Sequence, residues 1–187
     1  GFDLDGLNTT NEFSKHCQPY SGGSTAAFED GTNGRDNSFG RNVRPAMETL
    51  IPSLDKQAND AINVGSFTEI FAFEKLATAE DADPLVTRLY GGGTLGGSPK
   101  WKGNDCWPAV YESLTDPKDV GSAKTVYPNA KLSKNKWDSN GTADLILPLN
   151  VLGLQIPIKV YGARMALQFE LTHKGAALGQ IGGFLKA

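Results

Sequence analysis

At 187 residues and a net charge of −3, the chain has the size of one domain and the length to bury most of its apolar surface unaided. Its 18 Lys and Arg residues are scattered rather than gathered into blocks, which excludes the electrostatic footprint of a nucleic-acid binder. Pro, Gly, Gln or Lys interrupts every apolar stretch well short of the roughly 20 residues that cross a bilayer, so no transmembrane segment is expected.

Residues 1–36 are rich in Gly, Ser, Thr, Asn and Asp, with Phe2 and Leu4 as a brief apolar opening. They read as one short strand followed by long ordered loops. Two acidic, glycine-punctuated loops lie here, Asp3-Leu4-Asp5-Gly6 and Asp30-Gly31-Thr32-Asn33-Gly34-Arg35-Asp36-Asn37. Asp3 and Asp5 are one pleat apart, so on a regular strand their carboxylates share a side, and Gly6 lets the chain turn back. With Asp30, Asn33, Asp36 and Asn37 they form a set of hard oxygen donors, the chemistry that calcium takes. The competing reading is that Asp, Asn and Gly are simply making ordinary turns. Asp138-Ser139-Asn140-Gly141 is a weaker element of the same kind, and there turn chemistry is the expected role.

Gly1 in place of Met fits a chain from which a targeting segment was removed. Cys17 and Cys106 lack the spacing of a zinc site, so a single long-range disulfide is expected, the alternative being two buried thiols.

From Asn37 to about Ile62 the apolar residues Phe39, Val43, Met47, Leu50, Ile51, Leu54, Ala58 and Ile62 recur at steps of three and four, the spacing of an inward helix face. Pro45 and Pro52 are expected to break this stretch into turns of helix. Strands are expected over 67–76 and 85–90. The loop Gly91 to Pro99 lacks the Lys-Ser or Lys-Thr ending of a phosphate-binding loop and leads instead to Trp101, Trp107 and Tyr111. Tyr90, Trp101 and Trp107 offer flat faces for a sugar ring and Asn104 a hydrogen-bonding group beside them, while the same aromatics equally suit a core.

The C-terminal third carries the clearest alternation: Leu145, Leu147, Leu149, Val151; then Leu154, Ile156, Ile158, Val160; then Ala163, Met165, Leu167, Phe169, Leu171. Short breaks at Leu152-Gly153 and Tyr161-Gly162 predict tight reversals and antiparallel pairing, and 176–185 supplies a further strand. About eight strands on so little helix predict two packed sheets. The expected fold is mostly β, a jelly-roll-like antiparallel β-sandwich forming one domain over 1–187: loops 1–36, a helical segment 37–63 and strands 66–187.

No nucleophile motif accompanies His16 or His173. A carboxylate pair for glycoside hydrolysis is conceivable among Glu69, Glu74, Asp105, Glu112 and Glu170, but spacing in sequence does not set the separation that decides such chemistry. A non-enzymatic role is therefore expected.

The Asp-x-Asp-Gly and Asp-Gly-x-x-x-x-Asp-Asn pieces resemble calcium loops of thrombospondin type 3 and dockerin repeats. They depart from an EF-hand, since no Glu stands twelfth from Asp3 or Asp30. Taken with Cys17 and the late Gly179-Gln180-Ile181-Gly182-Gly183, the chain resembles secreted bacterial proteins and lipoproteins of unassigned function. That resemblance implies export to an extracytoplasmic location, whether secreted, periplasmic or cell-surface, and implies no reaction. The expected function is a calcium-stabilised binding or adhesion module for carbohydrate or a surface protein. The alternatives are a structural subunit that assembles as a homo-oligomer through apolar edges such as Leu154 to Val160, and a glycan hydrolase.

Overall fold

The computed structural model describes residues 2–4, 6–8, 30–151 and 154–185. The chain divides into two compact units, Gly1–Leu54 and Asp55–Ala187. In the first, the two acidic segments meet. The Asp36 amide donates to the Phe2 carbonyl at 2.9 Å, and the Gly31 amide closes a tight turn on the Arg35 carbonyl at 2.7 Å. Asn33 and Gly34 turn that corner with φ of 61° and 70°. Gly34 is needed twice over, because a Cβ there would come within 2.6 Å of the Leu7 carbonyl oxygen.

The helical stretch begins with a π-helical turn, Phe39–Val43, that passes straight into α1 (Arg44–Leu50). Pro45 stands in the first turn of α1, directly after the π turn, and the helical run continues through it instead of breaking. The interruption falls around Pro52 and Ser53, before α2 (Leu54–Asn63). Phe39, Val43 and Leu50, expected on an inward face, are exposed, Leu50 by 81%.

The second unit is mostly β and wholly antiparallel. Strands β1 (Thr68–Phe73), β2 (Thr87–Gly92) and β3 (Thr125–Tyr127) form a three-stranded sheet in that order. Strands β4 (Lys131–Ser133), β5 (Lys136–Asp138), β6 (Ala143–Val151), β7 (Leu154–Phe169) and β8 (Ala176–Phe184) form a five-stranded one. The sheets pack face to face as a sandwich around Leu85, Leu89, Tyr127, Trp137, Met165 and Phe169. Trp137 on β5 meets Phe71, Phe73 and Tyr127 edge-on across the interface, with centroids 6.0, 5.7 and 6.0 Å away. Polar bonds cross the same interface: Trp137 Nε1 donates to Thr87 Oγ1 at 3.0 Å and the Tyr127 hydroxyl to the Ala163 carbonyl at 2.8 Å. Each buried polar tip is thus satisfied on the opposite sheet.

One expected reversal is absent. The chain runs through Tyr161-Gly162 without turning, and β7 is a single strand of 16 residues. Gly162 has φ of 55°, and the β7–β8 register slips between Tyr161 and Arg164. The apolar positions change parity there, from Val160 to Ala163, and a bulge restores both to the inner face. The segment Leu154 to Val160 pairs along one edge with β6. Among the described residues no helix is long and apolar enough to cross a membrane.

Candidate functional site

In the first unit the acidic side chains serve the backbone. Asp3 Oδ1 accepts from the Gly6 amide at 2.6 Å, and Asp36 Oδ2 accepts from the Leu4 amide at 2.5 Å, joining the two loops. Asp30 is buried, whereas Asn33 and Asn37 are exposed. Among the described residues no three His, Cys, Asp or Glu side chains are grouped to hold a metal, and Asp5 lies outside those residues. The oxygen donors are of the hard type that suits calcium, but Asp3 and Asp36 each spend one oxygen on a main-chain amide. At the weaker element Asp138 Oδ1 accepts from the Asn140 amide at 2.8 Å, and the carboxylate pairs with Arg164, which is turn chemistry. Cys106 carries an exposed free thiol, and Cys17, its expected disulfide partner, lies outside the described residues.

The aromatic candidates separate. Trp101 and Trp107 contact each other at 5.9 Å between centroids, with Trp101 53% exposed. Asp105 holds their loop by accepting from the Lys100 and Trp101 amides, the latter at 2.8 Å. Asn104 is exposed on that loop. Tyr90 is instead buried on β2 with Leu114 and Ala123, its hydroxyl donating to the Val120 carbonyl at 2.8 Å.

The most distinctive group is Glu69. Its side chain shares the inner face of β1 with Phe71 and Phe73, because residues two and four apart on a strand face the same way. Both carboxyl oxygens are buried and, among the described residues, neither has a hydrogen-bond partner. Burial alone pushes its pKa from 4.5 up to about 8, so the carboxyl is largely protonated at neutral pH. Directly across in register stands Gly91, which has no side chain of its own there and is overlain by Val110. A Cβ on Gly91 would lie 3.0 Å from Val110 Cγ2.

Glu69 lines a cleft of about 190 Å3 between the sheets. Leu89, Val110 and Leu145 give it apolar walls, and Glu112, Lys124, Asp144 and Lys159 also line it. Its structure is braced locally. Lys124 Nζ donates to the Glu112 carbonyl at 2.7 Å, tying the segment just before β3 to a single 3-10 turn (Tyr111–Ser113), and Thr125 Oγ1 donates to the Asp144 carbonyl at 2.7 Å. Asp144 is occupied as well, accepting from the Gly162 amide at 3.2 Å and pairing with Lys159 at 3.4 Å.

Of the carboxylates considered for hydrolysis, Glu69 and Glu112 share this cleft. Glu74 pairs with Arg88, and Asp105 caps the tryptophan loop. His173 sits between the Ala77 carbonyl, 2.6 Å from Nδ1, and Asn135 Oδ1, 2.7 Å from Nε2, a latch on the β7–β8 turn. Compared with models of known protein families, with curated proteins and with solved structures, the chain matches none.

Proposed function

We propose that this chain is a non-enzymatic binding module whose recognition site is the cleft at Glu69. The observation that carries the reading is a carboxyl in an apolar-walled cleft whose two buried oxygens have no partner among the described residues. An unmet buried acceptor costs about 1–3 kcal/mol, and a fold keeps such a group most economically where a ligand satisfies it. Binding is favoured over hydrolysis because a two-carboxylate mechanism needs a second acid held opposite the first, whereas Glu112 is exposed on its 3-10 turn and Asp144 is already committed to Gly162 and Lys159.

Export to an extracytoplasmic site and calcium bound by the acidic loops belong to the same proposal. The support for the ion is that Asp36 brings the two loops together through Leu4 and Phe2. Carbohydrate at Trp101 and Trp107 is a second reading, favoured by the exposed, Asp105-held ring pair.

Screening the full chain against small soluble fragments by heteronuclear NMR tests the site. The expected result is that hits shift the backbone amides of Gly91, Val110, Ser113 and Thr125. If none of these amides moves while the spectrum elsewhere reports binding, or no fragment binds at all, the cleft is not the recognition site.

A further inference from the structure

Resting on the reading of the cleft as a binding site, we propose that it takes a neutral carboxamide-type group, a primary amide or lactam on a compact apolar body, paired through two hydrogen bonds with the two oxygens of Glu69. The two oxygens belong to one planar carboxyl and neither has a partner among the described residues, so a single planar head group suffices for both. At neutral pH burial keeps the proton on, which leaves one oxygen a donor and the other an acceptor. An amide presents the complement, an N–H beside a C=O. The ligand body is small: roughly 150 Å3 of apolar cavity takes up benzene, and this cleft offers about 190 Å3.

The charges nearby do not favour an ionic head. The charged groups lining the cleft from the other elements are Glu112 on the 3-10 turn, Lys124 just before β3, Asp144 on β6 and Lys159 on β7, two of each sign. Lys159 pairs with Asp144, Lys124 is held by the Glu112 carbonyl, and burial is the sole cause of the displaced Glu69 titration. A cationic head would require Glu69 to ionise where burial penalises charge, and an anionic head would find Lys159 already paired with Asp144 and Lys124 held at the Glu112 carbonyl.

Four probes decide between these classes: benzamide, δ-valerolactam, benzylammonium and benzoate, each titrated into the full chain while the Gly91, Ser113 and Thr125 amides are followed. Benzamide and the lactam are expected to shift these amides at about pH 6 and to bind roughly tenfold more weakly at about pH 9, where Glu69 has lost its proton. Glu69→Gln, which keeps a donor and an acceptor, is expected to bind at both pH values equally; Glu69→Leu is expected not to bind. Should Glu69→Leu fail to fold, the flat pH profile of Glu69→Gln still decides. Tighter binding of benzylammonium than benzamide, with affinity rising with pH, overturns the ligand class and leaves the binding site intact. A Glu69→Gln profile as steep as that of the unmodified chain also overturns it. If no probe moves the cleft amides, the binding reading falls with it.

Discussion

At the scale of single residues, Glu69 carries a stability signature that needs no ligand. Its folded pKa, about 8, lies above its ordinary 4.5, so the native state holds the proton more tightly than the unfolded chain does. The stability from that proton is fully present below about pH 4.5 and is lost as pH rises towards 8. Glu69→Gln removes this titration while keeping the shape. Denaturant unfolding of the Gln variant is expected to show a flatter profile over this window and a gain of about 1–3 kcal/mol at neutral pH. Parallel profiles for the two proteins would mean that Glu69 is solvated in the native state. The position was partly legible in the sequence: Phe71 and Phe73 mark the inner face of a strand, and stepping back by two reaches Glu69. What the sequence did not show is Gly91 opposite it, because register joins residues 22 positions apart and only the folded sheet sets that pairing.

At the scale of elements, the long strands were readable because apolar residues recur at every second position along them, and β8 falls at Ala176–Phe184, where a last strand was expected. Strands β3, β4 and β5 escaped notice, each only three residues long and too short for a period of two to declare itself. The change of parity after Val160 was visible, but a tight turn and a bulge both shift parity by one. What separates them is the company of Gly162, whose amide meets Asp144 on the paired strand. Its φ of 55° makes the bulge sensitive to a side chain. Gly162→Ala is expected to lower stability by about 1–2 kcal/mol, the cost of holding a residue with a Cβ in left-handed geometry. Urea midpoints of the two proteins measure it. A midpoint unchanged or raised would mean that β7 relaxes to a regular register there.

At the scale of the whole molecule, the two units draw on different means of support. Asp55–Ala187 has a continuous core between its sheets, whereas α1 buries none of its residues and Phe39, Val43 and Leu50 are exposed. The bonds that join the 2–8 segment to the 30–36 segment include Asp36 to Phe2 and Leu4 to Asp36, main-chain and carboxylate contacts. A ligand that binds only the folded loops would add RT ln(1 + [L]/Kd), about 2.7 kcal/mol at a hundredfold excess over Kd. If calcium is that ligand, amide exchange at Gly31 and Asp36 slows when calcium is added and speeds again with chelator. Asp36→Asn discriminates further, since its amide oxygen still accepts from Leu4 while one formal charge is lost. The calcium-dependent slowing is therefore expected to shrink in that variant even though the loop contact remains. Exchange at both amides that is indifferent to millimolar calcium would leave these acidic loops as turn chemistry alone, with Asp36 acting as a tether between two stretches of backbone.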